Sequence, residues 1–396
     1  MRKIMTLAAW GLISVLLQAG FLYYLERQIK GDAVAGSNPK PVIIQKTITL
    51  PQTGVKNLQA SFAKDYLAYT DRGGLKVFNV KTSKSVFSEN KPPQGEILSY
   101  HWLPDRNTLL FVTAKPNPDP KFSAQKKAEL QQENLNTPKN LAKEDPKAKA
   151  SNIAPAPAYN PQLTELYAID FGDPEEDATP DRRLARKLDT FPAGAAIESM
   201  DVSTYTNLIY LQVKNSTGQM IYEIDVMKNI RTVNRPGEKI IRMSASDKKG
   251  TLYLQSVVSG IAQIVAVKHN AREQLLKGSQ YLLLGQEDNK VLVGELKNNT
   301  LVKVLSIADT GSQEKISVKT VAEWTGSIPW KNYSVIAATG DFAVIYDDWS
   351  AIVLEQGIQR SVSFSGNLNY LTSDGREVME VTNGPNGTVR IEFKPL

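Results

Sequence analysis

Short runs of β-branched and aromatic residues recur along this chain in groups of four, and that recurrence constrains the fold more than any single motif. The runs LIYLQV (208–213) and TLYLQS (251–256), in successive groups, are near copies of each other. Self-similarity at a period of about 40 to 55 residues, carried by strands and turns, is the mark of an architecture built blade by blade.

The groups follow one another along the chain. DYLAYT and LKVFNV flank Asp71-Arg72-Gly73-Gly74, a tight hairpin signal, and KSVFS follows as an outer strand. ILSYHW, TLLFVTA, ELYAIDF and ARKLDTF make a second blade, and IESMDVS, LIYLQVK, QMIYEID and IRTVN a third. IIRMSAS, GTLYLQSV, AQIVAVK and EQLLKG make a fourth. YLLLGQ, KVLVGELK, LVKVLSI and ISVKTVAEW fit a fifth; YSVIAATG, FAVIYDD, AIVLEQG and QRSVSF fit a sixth. The last stretch supplies only LNYLT, EVMEVTN and TVRIEF, one strand short. The segment VIIQKTITL (42–50) has no partner within hairpin distance, so it is expected to complete the last blade and close the ring without an open sheet edge. The sequence therefore predicts an all-β chain, a seven-bladed β-propeller over 42–396 preceded by a single N-terminal transmembrane helix. Six blades is the alternative count, and two β-sandwich domains the rival architecture.

One blade carries a recognisable hairpin. HWLPDRNTLLFV, from His101 to Val112, joins an aromatic strand end, a Pro-Asp-Arg-Asn turn and an apolar strand, and ELYAID, Glu165 to Asp170, supplies the strand that follows. This pattern resembles the blade repeat of TolB-like propellers and of the propeller half of dipeptidyl peptidase IV-type proteins. The resemblance implies a propeller. The catalytic domain that follows it in dipeptidyl peptidase IV is not expected here, because no room for it remains between the last strands and Leu396.

The net charge of +6 would suit a nucleic-acid ligand only if it were concentrated on the folded part. It is not. Residues 1–30 and 115–161 carry +3 each, and the remainder holds 35 basic and 35 acidic residues, so no nucleic-acid partner is expected. The absence of Cys excludes disulfides, thiolate metal sites and Cys nucleophiles.

From Ile4 to Leu25 the chain has 22 residues without a charge. At about 1.5 Å per residue that length matches a hydrocarbon core of roughly 30 Å. Arg2 and Lys3 precede it, and Phe21, Tyr23 and Tyr24 sit at its far end, which by the positive-inside rule leaves residues 1–3 as a cytoplasmic tail. The expected location is the cell membrane, single-pass, with the bulk of the chain extracytoplasmic. Ala33-Val34-Ala35 offers the rival reading of a cleaved signal peptide. Residues 26–41 read as a flexible tether.

An insertion at 115–161, within blade two, holds eight Pro and eight Lys with almost no large apolar residues. It is expected to be mostly disordered, with QKKAELQQENL (125–135) composed like one short helix. A Lys-rich arm of this kind suits an anionic polymer or an envelope partner.

Residues that carry chemistry are sparse. The two His, His101 and His269, sit in different blades with no G-x-S-x-G elbow nearby, and no third His is present for a zinc site, so neither a metal nor a cofactor is implied. Asp347-Asp348-Trp349 and the group Asp170, Asp173, Glu175, Glu176, Asp177 and Asp181 are the carboxylate candidates. Aromatics concentrate in Trp324, Trp330, Tyr333, Tyr346 and Trp349, and exposed aromatics supply contact area at low entropic cost. The ligand-binding candidates are therefore Trp324, Trp330, Tyr333, Asp347, Asp348 and Trp349. The expected function is a non-catalytic protein- or glycan-binding scaffold of the bacterial cell envelope. The alternative is an extracytoplasmic hydrolase or lyase with a carboxylate or Ca²⁺ site in the central channel.

Overall fold

The computed structural model describes residues 47–51, 54–89, 95–117 and 162–396, apart from short gaps at 177–178, 189–190, 216–217, 228, 247, 270, 288–289, 313–314, 332–333, 339–341 and 356. Their strands form seven four-stranded antiparallel sheets. The first, β1 (Thr47–Leu50), stands apart from its sequence neighbours. Blade one is β2 (Lys56–Ala60), β3 (Tyr66–Asp71), β4 (Gly74–Asn79) and β5 (Lys84–Ser88); blade two is β6 (Glu96–Trp102), β7 (Thr108–Pro116), β8 (Gln162–Asp170) and β9 (Asp181–Lys187). Blade three is β10 (Ala196–Ser203), β11 (Leu208–Asn215), β12 (Gly218–Ile224) and β13 (Ile230–Thr232). Blade four is β14 (Lys239–Ala245), β15 (Leu252–Val258), β16 (Ile261–Lys268) and β17 (Ala271–Lys277). Blade five is β18 (Tyr281–Glu287), β19 (Lys290–Lys297), β20 (Thr300–Asp309) and β21 (Val318–Pro329). Blade six is β22 (Ser334–Ala338), β23 (Phe342–Tyr346), β24 (Ser350–Glu355) and β25 (Ile358–Ser363). Blade seven is β26 (Leu368–Leu371), β27 (Glu377–Asn383) and β28 (Val389–Pro395), with β1 as its fourth strand.

Hairpin chemistry explains the meanders. The β3–β4, β15–β16 and β19–β20 turns are two-residue loops with both central residues at positive φ: Arg72 and Gly73, Ser259 and Gly260, Asn298 and Asn299. That backbone matches the right-handed twist of the strands it joins. The outermost strands are largely solvated, and β25, IQRSVS, is exposed at nearly every position. The first strands contact one another around the ring, β2 against β6, β6 against β10, β10 against β14, β14 against β18, β18 against β22 and β26 against β2.

Seven hydrophobic clusters form the core, each shared by two neighbouring blades. Between blades three and four, for example, Tyr210 and Ile221 pack against Ile240, Met243 and Leu254. A sheet with both faces covered in this way has no apolar face left to solvent. The ring closes through β1, paired antiparallel with β28 from Thr47 opposite Glu392 to Leu50 opposite Val389. Ile48 and Leu50 are buried with Leu67, Tyr69, Val381 and Ile391 of blades one and seven. Lys64 of blade one adds an ionic clasp, 2.9 Å from Asp374 and also bonded to Glu377, both of blade seven.

Three departures from the sequence reading stand out. KNLQA forms β2, the innermost strand of blade one, although only Leu58 is a large apolar residue. The outer strand of blade two begins at Asp181, through the charged run DRR, instead of at Ala185. The expected closing strand 42–50 is seen as Thr47–Leu50, residues 42–46 lying outside those described. The expected membrane span Ile4 to Leu25, the tether 26–41 and residues 118–161 also lie outside them; among the described residues no helix is long and apolar enough to cross a membrane.

Candidate functional site

Alternating strand direction sorts the loops onto two faces of the ring. Turns between the first and second strands of each blade, and between the third and fourth, leave one face, called here the A–B face. Turns between second and third strands, with the links to the next blade, leave the other, the B–C face. The B–C face bears concave ground among the described residues. A hollow of about 910 Å³ lies between the β11–β12 turn, with Lys214, Asn215 and Gly218, and the link from Arg235 to Lys239. A second, of about 740 Å³, adjoins it nearer the centre of the ring, with Glu198, Ser199, Gln212, Ile241 and Met243 in its wall. Gln219 and Lys239 line both, so the two make one groove between blades three and four.

Local structure shapes this groove. The link that begins at Val233 is held by Asn234, whose side chain accepts the Ile221 N–H at 2.9 Å and donates to the Gln219 carbonyl at 3.2 Å, replacing a backbone rung where β13 stops short. Pro236 and Gly237 then turn the chain, and buried Glu238 fixes the turn by accepting the Arg235 N–H at 3.0 Å while pairing with Arg272 of β17. A β-bulge between Ile240 and Arg242 displaces Ile241, which is 48% exposed. The same irregularity recurs on β6, β10 and β18, so it belongs to the inner strand as an element of the blade.

The electrostatics of the groove are one-sided. Glu198 is engaged by Gln212 Nε2 at 3.0 Å, Gln219 Nε2 at 2.7 Å and Lys214 Nζ at 3.3 Å. Glu238 is engaged by Arg272. Among the described residues neither Arg235 nor Lys239 meets a carboxylate, so the rim is left cationic. The Gln219 Oε1 atom is buried without a donor. On the far side of β14, Arg242 donates to the Leu283 carbonyl at 3.1 Å, and burial lowers the pKa of its guanidinium.

The sequence candidates distribute differently. Trp324, on outer strand β21, and Trp330, in the link after it, pack against the core between blades five and six; the Trp330 carbonyl accepts from Asn299 Nδ2 at 3.0 Å. Trp349, in the β23–β24 turn on the B–C face, is 67% exposed. Asp347 holds that turn. Its Oδ1 accepts the N–H groups of Trp349 at 2.9 Å and Ser350 at 2.8 Å, and although burial works against ionisation, those bonds keep the carboxyl below its ordinary range. Asp348 is exposed, and its carbonyl accepts from Asn369 at 2.7 Å. Tyr333 lies outside the described residues. Of the second acidic group, Asp170 accepts the Gly172 N–H, Asp173 that of Glu175, and Asp181 pairs with Arg183, while Asp177 lies outside the described residues. Among the described residues no three His, Asp or Glu side chains come together as a metal cage would require. His101, on β6, is half-buried, and burial pushes its imidazole down to about 4.

Sequence reasoning did not single out the groove. Glu198, Gln212, Gln219 and Lys239 are ordinary polar residues of four strands, and the first three meet Lys239 only because blades three and four are neighbours. The one local signal was NRPGEK (234–239), a turn with basic residues at both ends.

These features define a seven-bladed β-propeller whose described residues carry a groove on one face. No protein-family profile matches the chain, and no curated protein matches it. Among solved structures it is similar to the Cps50 (Swd1) β-propeller domain of Myceliophteria thermophila, with 10% identity over 87% of this chain and 97% of that one and a TM-score of 0.47. It is similar also to a chain of the Mitotic Checkpoint Complex, with 10% identity over 91% of this chain and 97% of that one and a TM-score of 0.46. A third likeness is to an oligogalacturonate lyase in complex with manganese, at 11% identity over 87% of this chain and 78% of that one, with a TM-score of 0.36. These are likenesses of fold.

Proposed function

We propose that this chain is a non-catalytic, TolB-like propeller of the bacterial cell envelope that holds a protein partner on its B–C face, tethered to the membrane through Ile4 to Leu25 with the ring extracytoplasmic. One observation carries the reading: the groove, the exposed Trp349 and the root of the 115–161 insertion, where Pro116 pairs with Gln162, all open on that face. The Thr47 end of β1 is at the opposite face, because β1 runs toward the start of β28. Loops of the B–C face are thus presented on a rigid ring away from the point where β1 begins.

The test uses the full chain in its host with benzoylphenylalanine at Thr232 or Trp349 on the B–C face, and at Tyr205 or Ile358 on the A–B face. A discrete adduct from the B–C positions alone is the expected result. Adducts only from the A–B positions, or none from any position, would overturn the reading. Alkaline extraction of the same cells tests the tether: the chain should stay in the membrane pellet, and a chain released to the supernatant refutes that part.

A further inference from the structure

The groove between blades three and four also says something about the chemistry of its occupant. We infer that it receives an extended acidic peptide segment of the partner, carboxylates on Arg235 and Lys239 and an apolar residue on Ile241; this rests on the protein-binding reading above. Three observations carry it.

The first is charge. Both acids in the wall are already engaged, Glu198 by Lys214 and two amides and Glu238 by Arg272, whereas Arg235 and Lys239 have no carboxylate partner among the described residues. A groove whose anions are internally neutralised and whose rim cations are not attracts a negative ligand.

The second is a missing donor. Gln219 Nε2 donates to Glu198 at 2.7 Å, which fixes the orientation of the amide and leaves Oε1 buried without a partner. A buried acceptor left unmade is costly. A phosphate polymer has no N–H to offer it; a peptide backbone has one at almost every residue, and Gln219 lines both hollows. The third is Ile241, held out by the β14 bulge at the inner end of the groove, which gives a purely ionic polymer nothing and an amphipathic peptide an apolar contact.

The experiment measures binding of three fluorescein-labelled hexapeptides to the full chain by anisotropy: alternating Glu-Val, alternating Gln-Val and alternating Lys-Val, with linear polyphosphate as competitor. The Glu-Val peptide should bind about tenfold tighter than the Gln-Val peptide at low ionic strength and lose that margin at high salt. Arg235→Ala and Lys239→Ala should each weaken it about three- to fivefold, and Lys319→Ala, on outer strand β21, should leave it unchanged. Equal affinity for the three peptides, indifference to Arg235→Ala and Lys239→Ala, or displacement by polyphosphate at equal charge concentration would each overturn the inference. The two readings fail separately. Persistence of the B–C-face adduct without peptide binding sinks the acidic-peptide inference alone, whereas loss of both removes the partner face itself.

Discussion

Lys268 and Asp309 offer the sharpest test of how the ring is held. Lys268 ends β16 in blade four and Asp309 ends β20 in blade five; their side chains are both 0% exposed, with Nζ 2.8 Å from Oδ2. The pair is not alone, for Asp309 also accepts from Thr251 Oγ1 at 2.8 Å and from the Gly311 N–H at 2.8 Å, and Lys268 also donates to the Ser312 carbonyl at 2.9 Å. At an effective dielectric constant of about 20 the direct attraction is about 6 kcal/mol, against a desolvation cost of several kcal/mol for each ion, so the net worth of the intact pair is small. Removing one partner is different. Lys268→Met leaves a carboxylate, and Asp309→Asn an ammonium group, buried without its counter-charge, at a cost of about 3 to 5 kcal/mol each. The double variant strands no charge and should cost about 2 to 4 kcal/mol, well short of the sum. Equilibrium urea unfolding followed by tryptophan fluorescence measures all four proteins. pH adds an independent check. Burial opposes ionisation of Asp309, but the bonds from Lys268, Thr251 and Gly311 outweigh it and hold its pKa below the ordinary range. The stability this confers is complete above the unfolded carboxyl value of about 3.9 and is lost as pH falls through the lower folded one. In Lys268→Met the burial effect should dominate and raise the Asp309 pKa above the unfolded value, so that variant should gain stability as pH falls through that range instead of losing it. Single variants costing under about 1 kcal/mol, or costs that simply add, would refute the argument that the pair joins blades four and five.

Other consequences are directly measurable. Leu50→Ala, at the buried end of β1, should cost about 2 to 5 kcal/mol and speed hydrogen exchange in Val389–Pro395 more than in blade four; uniform exchange would deny that β1 closes the ring. Gly73→Val forces a β-branched residue to φ +84° and should cost about 1 to 3 kcal/mol in urea unfolding, whereas Ser85→Val on outer strand β5 should be near neutral. His101 titrates at about 4 when folded against about 6.5 unfolded, so the unfolded chain binds the extra proton between those values and stability falls as pH drops through that window. His101→Gln should remove that slope, worth about 2 kcal/mol, and an unchanged pH profile would show that His101 is not its source. Because Pro116 and Gln162 are cross-strand partners, replacing 117–161 by Asn-Gly should leave the melting temperature within about 4 °C; a large drop would mean the insertion supports the ring.

The blade repeat was legible because second and third strands, such as LIYLQVK and AQIVAVK, are covered on both faces by neighbouring blades and so are written as dense apolar runs. Inner and outer strands are written more faintly. KNLQA holds its place in β2 through the ring and through bonds such as Gln59 Nε2 to the Tyr100 carbonyl at 3.1 Å, and Asn57 at φ +53° breaks its alternation at a bulge. The start of β9, DRR, is charged because an outer edge faces water. Arg182 of that run lies over the Tyr167 ring at 4.2 Å, a contact that no spacing rule reveals. The aromatic cluster divides for a related reason. Trp324, Trp330 and Trp349 are close in sequence, yet the first two pack inward between blades five and six while a turn built on Asp347 carries only the third outward.

The two faces of the ring differ in a way that joins stability to function. The Lys64 clasp between blades one and seven and the Lys268–Asp309 pair between blades four and five both lie toward the A–B face, among A–B turns and the ends of third strands. There Lys249 also reaches across from the β14–β15 turn to the Gly311 carbonyl at 3.2 Å. Charges committed to bridging blades are not available to a ligand, and their loops cannot lengthen without breaking the bridges. On the B–C face the opposite holds. Its hairpins are shaped by their own residues, through positive-φ pairs such as Asn298-Asn299 or a side chain such as Asp347, and where the next blade reaches one, as Asn369 does at the Asp348 carbonyl, the contact is neutral. A hairpin shaped by its own residues tolerates a long insertion, as blade two does at Pro116 and Gln162, and on the same face the link between blades three and four carries Arg235 and Lys239, which meet no carboxylate among the described residues. Under the proposed reading, recognition belongs to this face.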